Sequence, residues 1–134
     1  MPLLDTFFQT RPGLFVSDEF RSFVVAEASF GAGVASATRS VDLRRDTRDG
    51  GIKEMLGDGH LFGEENLCVT IAQMITDQES GKEGKLLNNG ASNIFFTASC
   101  TVCVYWRATD CRWYVLAWRD DRRWDAGDRA FSPE

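Results

Sequence analysis

The longest regular pattern in the chain runs from Asn93 to Arg107, "NIFFTASCTVCVYWR", and its period is two. Ile94, Phe96, Ala98, Cys100, Val102, Val104 and Trp106 alternate with Phe95, Thr97, Ser99, Thr101, Cys103, Tyr105 and Arg107, which in an extended chain places the two sets on opposite faces of a sheet. The run far exceeds an ordinary strand of about 5 to 6 residues, so a bend or bulge is expected within it. A turn near "RATDCR" leads into "WYVLAWR", where Trp113, Val115 and Ala117 oppose Tyr114, Leu116 and Trp118. Together the two runs predict a long C-terminal hairpin.

Upstream the period changes. Glu64 to Gln78 predicts a helix, with two acids in its first turn and Leu67, Ile71, Met74 and Ile75 on one face. "ESGKEGK" ends it with glycines and lysines, and Asn89-Gly90 marks a turn. Pro2 to Gln9 predicts a short helix stopped by "RPG" at 11–13. Ser17 reads as an N-cap, followed by Phe20, Phe23, Val24 and Ala28 at helical spacing. "FRSFVVAEA" fits a strand as well as a helix, so 18–28 stays open. "SFGAGVAS" reads as a loop, 37–43 as a modest strand, "RRDTRDGG" as a solvated turn, Ile52 to Leu56 as a short helix, and "GDGHLFG" as a loop. The expected architecture is one α+β domain over 1–134. Its antiparallel sheet is built on the hairpin, with two to four helices on one face.

Composition narrows this picture. With 134 residues the chain suits one domain with its own core. Hydrophobic residues at 43% and charged residues at 26% argue against disorder. No apolar run approaches the roughly 18 residues of a membrane span. "MPLLDTFF" lacks the basic stretch of a secretory signal, so a cytoplasmic location is expected. A net charge of -5 opposes attraction to nucleic acid and to anionic membranes.

The cysteines at 100 and 103 have a C-x-x-C spacing that invites a metal or redox reading. In a strand they point to opposite faces, and Cys68 and Cys111 supply no second pair, so neither a zinc knuckle nor a thioredoxin-like site is expected. Four free thiols are the expectation. His60 is the sole histidine, which excludes a multi-histidine metal site. "FGAGVAS" lacks the Lys-Ser/Thr of a phosphate loop. "RDDRRWDAGDR" lacks the alternating oxygen ligands and terminal Glu of a calcium loop, and reads as a charge-balanced terminal segment. No cofactor, metal or catalytic constellation is expected from these residues.

Aromatic residues carry more information. If helices cover the face bearing Phe96 and Trp106, the opposite face presents Phe95, Tyr105, Tyr114, Trp118 and Trp124, with Arg119 and Arg122 beside them. The tail "RRWDAGDRAFSP" would suit a segment clamped onto that face. The first expectation is therefore a non-enzymatic interaction or adaptor protein forming a homodimer, or docking a protein partner, through this surface. The alternative is a protein binding an apolar small molecule, or a weak enzyme, with a cleft between helices and sheet.

"LCVTIAQMI", "GKLLNNGASNIFF", "VCVYW", "WYVLAW" and "AGDRAFS", over about residues 60–132, resemble a pattern in small uncharacterised proteins encoded by gene cassettes of bacterial mobile integrons. The resemblance implies a bacterial accessory protein and assigns no catalytic residue.

Overall fold

The computed structural model describes residues 4–28 and 34–134, so most of "SFGAGVAS" lies outside the described residues. In chain order the elements are α1 (Leu4–Phe7), β1 (Leu14–Val16), α2 (Asp18–Phe23), β2 (Thr38–Asp42), β3 (Thr47–Arg48), α3 (Asp49–Leu56), α4 (Glu64–Asp77), β4 (Asn93–Phe96), β5 (Thr101–Arg107), β6 (Arg112–Trp118), β7 (Arg123–Trp124) and β8 (Arg129–Pro133). Six strands form one sheet in the order β1-β6-β5-β4-β8-β2, and β3 pairs with β7 in a separate two-stranded ribbon. The sheet is mixed, because β1 runs parallel to β6 and β4 parallel to β8. The class is α+β, as the sequence predicts.

The run from Asn93 to Arg107 is two strands, not one. At Thr97–Cys100 the chain reverses: Thr97 N donates to Cys100 O at 3.0 Å, and Thr97 Oγ1 accepts from Cys100 N at 3.1 Å and from Ser99 N at 3.2 Å. Threonine and serine hydroxyls stabilise turns in this way by replacing backbone partners. The reversal sets Phe95 opposite Val102, so odd positions of β4 share a face with even positions of β5. Phe95 consequently joins Val102 and Val104 in the helix-covered core. Cys100 falls in that core and Cys103 in the one across the sheet.

Both faces of the sheet are covered, which corrects the one-sided expectation. On one face α2 and α4 bury Phe20, Leu67 and Ile71 against Val104, Trp113, Val115 and Phe131. On the other, Ile52 and Leu56 of α3, with Trp124 of the ribbon, pack on Ile94, Phe96, Cys103 and Ala130. The helix α3 starts three residues before the predicted Ile52, through Gly50 and Gly51. Each glycine costs a helix about 1 kcal/mol, and tertiary bonds offset it. The Asp49 carboxylate is buried and accepts from Trp124 Nε1 at 2.6 Å and Thr101 Oγ1 at 3.1 Å.

The ambiguity at 18–28 resolves to a helix. Ser17 Oγ accepts from Phe20 N at 3.1 Å, and the helix stops at Phe23, followed by a 3-10 turn at Val25–Glu27. The C-terminal tail divides: Trp124 packs over one face of the sheet, but the rest is no clamp. Its last segment is the interior strand β8, paired with β4 on one side and β2 on the other, and Phe131 is buried. No helix among the described residues is long and apolar enough to cross a membrane.

Candidate functional site

The seven residues singled out from the sequence separate in space. Phe95 is fully buried and stacks on Phe131 at 4.8 Å, and Trp124 is buried over Asp49. Arg119 lies over Phe23 of α2 at 3.8 Å, on the helix side. The remaining four meet in two pairs. Tyr105 stacks on Tyr114 at 5.1 Å, and Phe15 of β1 extends the row at 5.0 Å from Tyr114. Farther along β6, Trp118 sits edge-on to Trp124, with Arg122 over its ring at 4.0 Å. This strip is half-buried. Its rings cover one another and carry arginine stems, which removes much of the apolar surface that a bare face would present.

A more enclosed feature lies at one end of the sheet. A cleft of about 600 Å³ opens where the turn after α1, the C-terminal end of α4 and the β5–β6 connection converge. Phe7, Leu14, Ile75, Trp106 and Trp113 make its walls. Trp106 and Trp113 meet edge to face at 5.5 Å. The Trp113 indole N–H donates to Gln78 O at 3.0 Å, tying β6 to the end of α4. The backbone of Gly81 presses on the other tryptophan: a Cβ there would come within 2.4 Å of the Trp106 ring. The two indoles are thus fixed in place by bonds and packing that a ligand does not have to supply.

Local chemistry shapes the rim. Arg11 and Leu14 exchange backbone hydrogen bonds at 2.9 and 3.0 Å around Pro12 and Gly13, and Gly13 has φ +88°. Pro followed by a positive-φ Gly is what a type II turn requires. Two other rim residues lack that freedom. Ser80 (φ 64°) and Cys111 (φ 53°) are the two non-glycine residues of positive φ among the described residues, and both line this cleft. Such backbone costs on the order of 1 to 2 kcal/mol per residue and concentrates at functional sites.

The thiols do not offer an obvious nucleophile. Burial pushes Cys68 and Cys103 up to about 12, and burial also raises Cys100. Cys111 alone is exposed, its Sγ donating to Ala108 O at 3.5 Å. His60 Nδ1 lies 2.9 Å from Gly57 O, so that nitrogen carries the proton and the ring closes its own loop. Among the described residues no group of three or more His, Cys, Asp or Glu side chains could hold a metal ion.

Sequence reasoning offered a cleft between helices and sheet as an alternative but missed the residues that line this one, because its parts read as punctuation. "RPG" and "ESGK" mark helix ends, and Trp106 and Trp113 read as strand residues. No family model, curated protein or solved structure matches this chain.

Proposed function

We propose that the protein is a small-molecule-binding protein whose ligand has an apolar body and occupies the cleft between Phe7, Trp106 and Trp113. The observation that carries this reading is the convergence of both strained non-glycine residues, Ser80 and Cys111, on an aromatic-walled cleft of about 600 Å³. Binding sites for small molecules are typically concave, about 300 to 1,000 Å³, and apolar with a few polar groups. The pre-set indoles favour affinity, because less side-chain ordering is needed on binding.

Thermal unfolding of the full chain against a panel of small aromatic and aliphatic compounds tests this. A ligand at 100 times its Kd adds about 2.7 kcal/mol, a rise of several degrees in Tm. Trp106→Ala should abolish that rise. If no compound raises the Tm of the wild type, or if the Trp106→Ala variant is stabilised equally, the reading fails.

A second reading, self-association through Phe15, Tyr105 and Tyr114 with Trp118 farther along β6, is favoured by the ring contacts of the first three across β1, β6 and β5. Sedimentation of wild type and Tyr114→Glu separates the two. A dimer abolished by the substitution supports self-association, and a wild-type monomer removes it. The cytoplasmic, bacterial accessory role implied by the cassette resemblance is compatible with either.

A further inference from the structure

Resting on the cleft as a binding site, we infer that its ligand is a zwitterion of the α-amino-acid type with a large apolar side chain, its carboxylate taken by Arg11 and its ammonium by Glu79. Several polar groups of the lining are already occupied. Thr76 Oγ1 donates to Ala72 O at 2.7 Å, Trp113 Nε1 to Gln78 O, and Cys111 Sγ to Ala108 O. Three side chains remain: Arg11, Glu79 and Ser80.

Arg11 is held but not neutralised. Its Nη1 donates to the carbonyls of Phe7 and Gln9, and its guanidinium carbon lies 4.7 Å from the Phe7 ring centre. Among the residues whose side chains are described it has no carboxylate partner, and its Nε and Nη2 make no hydrogen bond with them, which leaves that edge for a planar acceptor. A guanidinium with two nitrogens available on one edge matches a carboxylate in a bidentate pair.

Glu79 follows α4, exposed, and makes no ion pair or hydrogen bond with any described residue. Among the described residues, the cleft therefore offers one unpaired cation, one unpaired anion and one hydroxyl around aromatic walls. A purely anionic ligand meets Glu79, a purely cationic one meets Arg11, and a neutral one leaves both charges without a partner. A zwitterion satisfies both, and discrimination arises as much from these penalties as from the two ion pairs formed.

Calorimetric titration of the full chain with L-phenylalanine, phenylacetate, phenethylamine and benzyl alcohol tests the assignment, since the four share a ring and differ in charge. L-Phenylalanine should bind about tenfold or more tighter than each of the others. Arg11→Gln should weaken L-phenylalanine about tenfold and tighten phenethylamine, which no longer meets a like charge. Glu79→Gln should weaken L-phenylalanine similarly and tighten phenylacetate. Both side chains are exposed, and Tm of each variant checks that the fold is retained. Equal binding of benzyl alcohol and L-phenylalanine overturns the zwitterion and leaves the cleft reading standing. No binding of L-phenylalanine at millimolar concentration, while other compounds raise the Tm through Trp106, overturns it in the same way. If no compound of either set binds, both fall together.

Discussion

The side chain of Gln78 pairs with the backbone of Leu86 as a neighbouring strand would: its Oε1 accepts from Leu86 N at 2.8 Å and its Nε2 donates to Leu86 O at 3.0 Å. The same Nε2 donates to Lys82 O at 2.9 Å, and the Gln78 carbonyl receives the Trp113 indole N–H. One buried amide therefore anchors the loop after α4 and stands next to Glu79 and Ser80 on the rim of the cleft.

Removing that amide should be costly. Gln78→Ala deletes three hydrogen bonds and leaves Leu86 N–H buried, a loss of about 3 kcal/mol at about 1 kcal/mol per bond. Urea unfolding measures it, and a loss below about 1 kcal/mol would show that the loop holds without the amide.

On the opposite face, Asp49 joins α3 to the ribbon and to β5. Asp49→Ala strands the Trp124 N–H and the Thr101 hydroxyl, and hydrogen bonds to a charged group contribute roughly 1.5 to 3 kcal/mol each. The variant should lose roughly 3 kcal/mol or more. Asp49→Asn, which keeps one accepting oxygen, should lose less. Equal stability of the alanine variant and the wild type would count against the carboxylate as the anchor of α3.

Gly81 is irreplaceable for two independent reasons. Its φ is +79°, and a Cβ would enter the Trp106 ring at 2.4 Å. Gly81→Ala should destabilise the protein by about 1 to 3 kcal/mol through backbone strain and overpacking. Tryptophan emission should change as the Trp106 ring is displaced. An unchanged spectrum together with unchanged stability is the result that would refute the close packing.

Thiol chemistry gives a pH-dependent test. In the native state near pH 8 a disulfide reagent should titrate one thiol rapidly, Cys111, and all four in denaturant. Two or more fast native thiols would contradict the burial of the rest. Cys68 and Cys103 are raised from an ordinary value of 9.0 to about 12 by burial. Above pH 9 the unfolded chain releases these protons while the folded chain keeps them, so the contribution of the two thiols to stability should be level below pH 9 and fall between pH 9 and 12. Chemical unfolding at stepped pH checks the sign, and replacing both cysteines with alanine should reduce the slope, leaving the part owed to Cys100 and Tyr105, which burial also raises.

Elements whose cause is local are legible in the chain. The helix α4 follows from apolar residues at helical spacing behind two acids, and α2 from Ser17 capping its first turn. Alternation at 93–107 correctly marks extended chain and correctly places Cys100 and Cys103 apart. It does not reveal the reversal, because a two-residue turn at Ala98 and Ser99 preserves a polar-apolar rhythm that a straight strand would also show. That one turn moves Phe95 from the expected surface into the core.

What the tertiary structure decided is which distant segments meet. The strand β8 reads as a charged tail, since only its partners β4 and β2 make an interior strand of it. The cleft joins residues near positions 7–14, 75–80 and 106–113, each of which looks locally like a helix end or a strand. Sequence period reports how a segment exposes its own faces, a matter of φ and ψ and side-chain polarity over a few residues. It carries no record of which turns converge at one end of a sheet, which here was settled by the pairing of β1 with β6 and by the bond from Trp113 to Gln78.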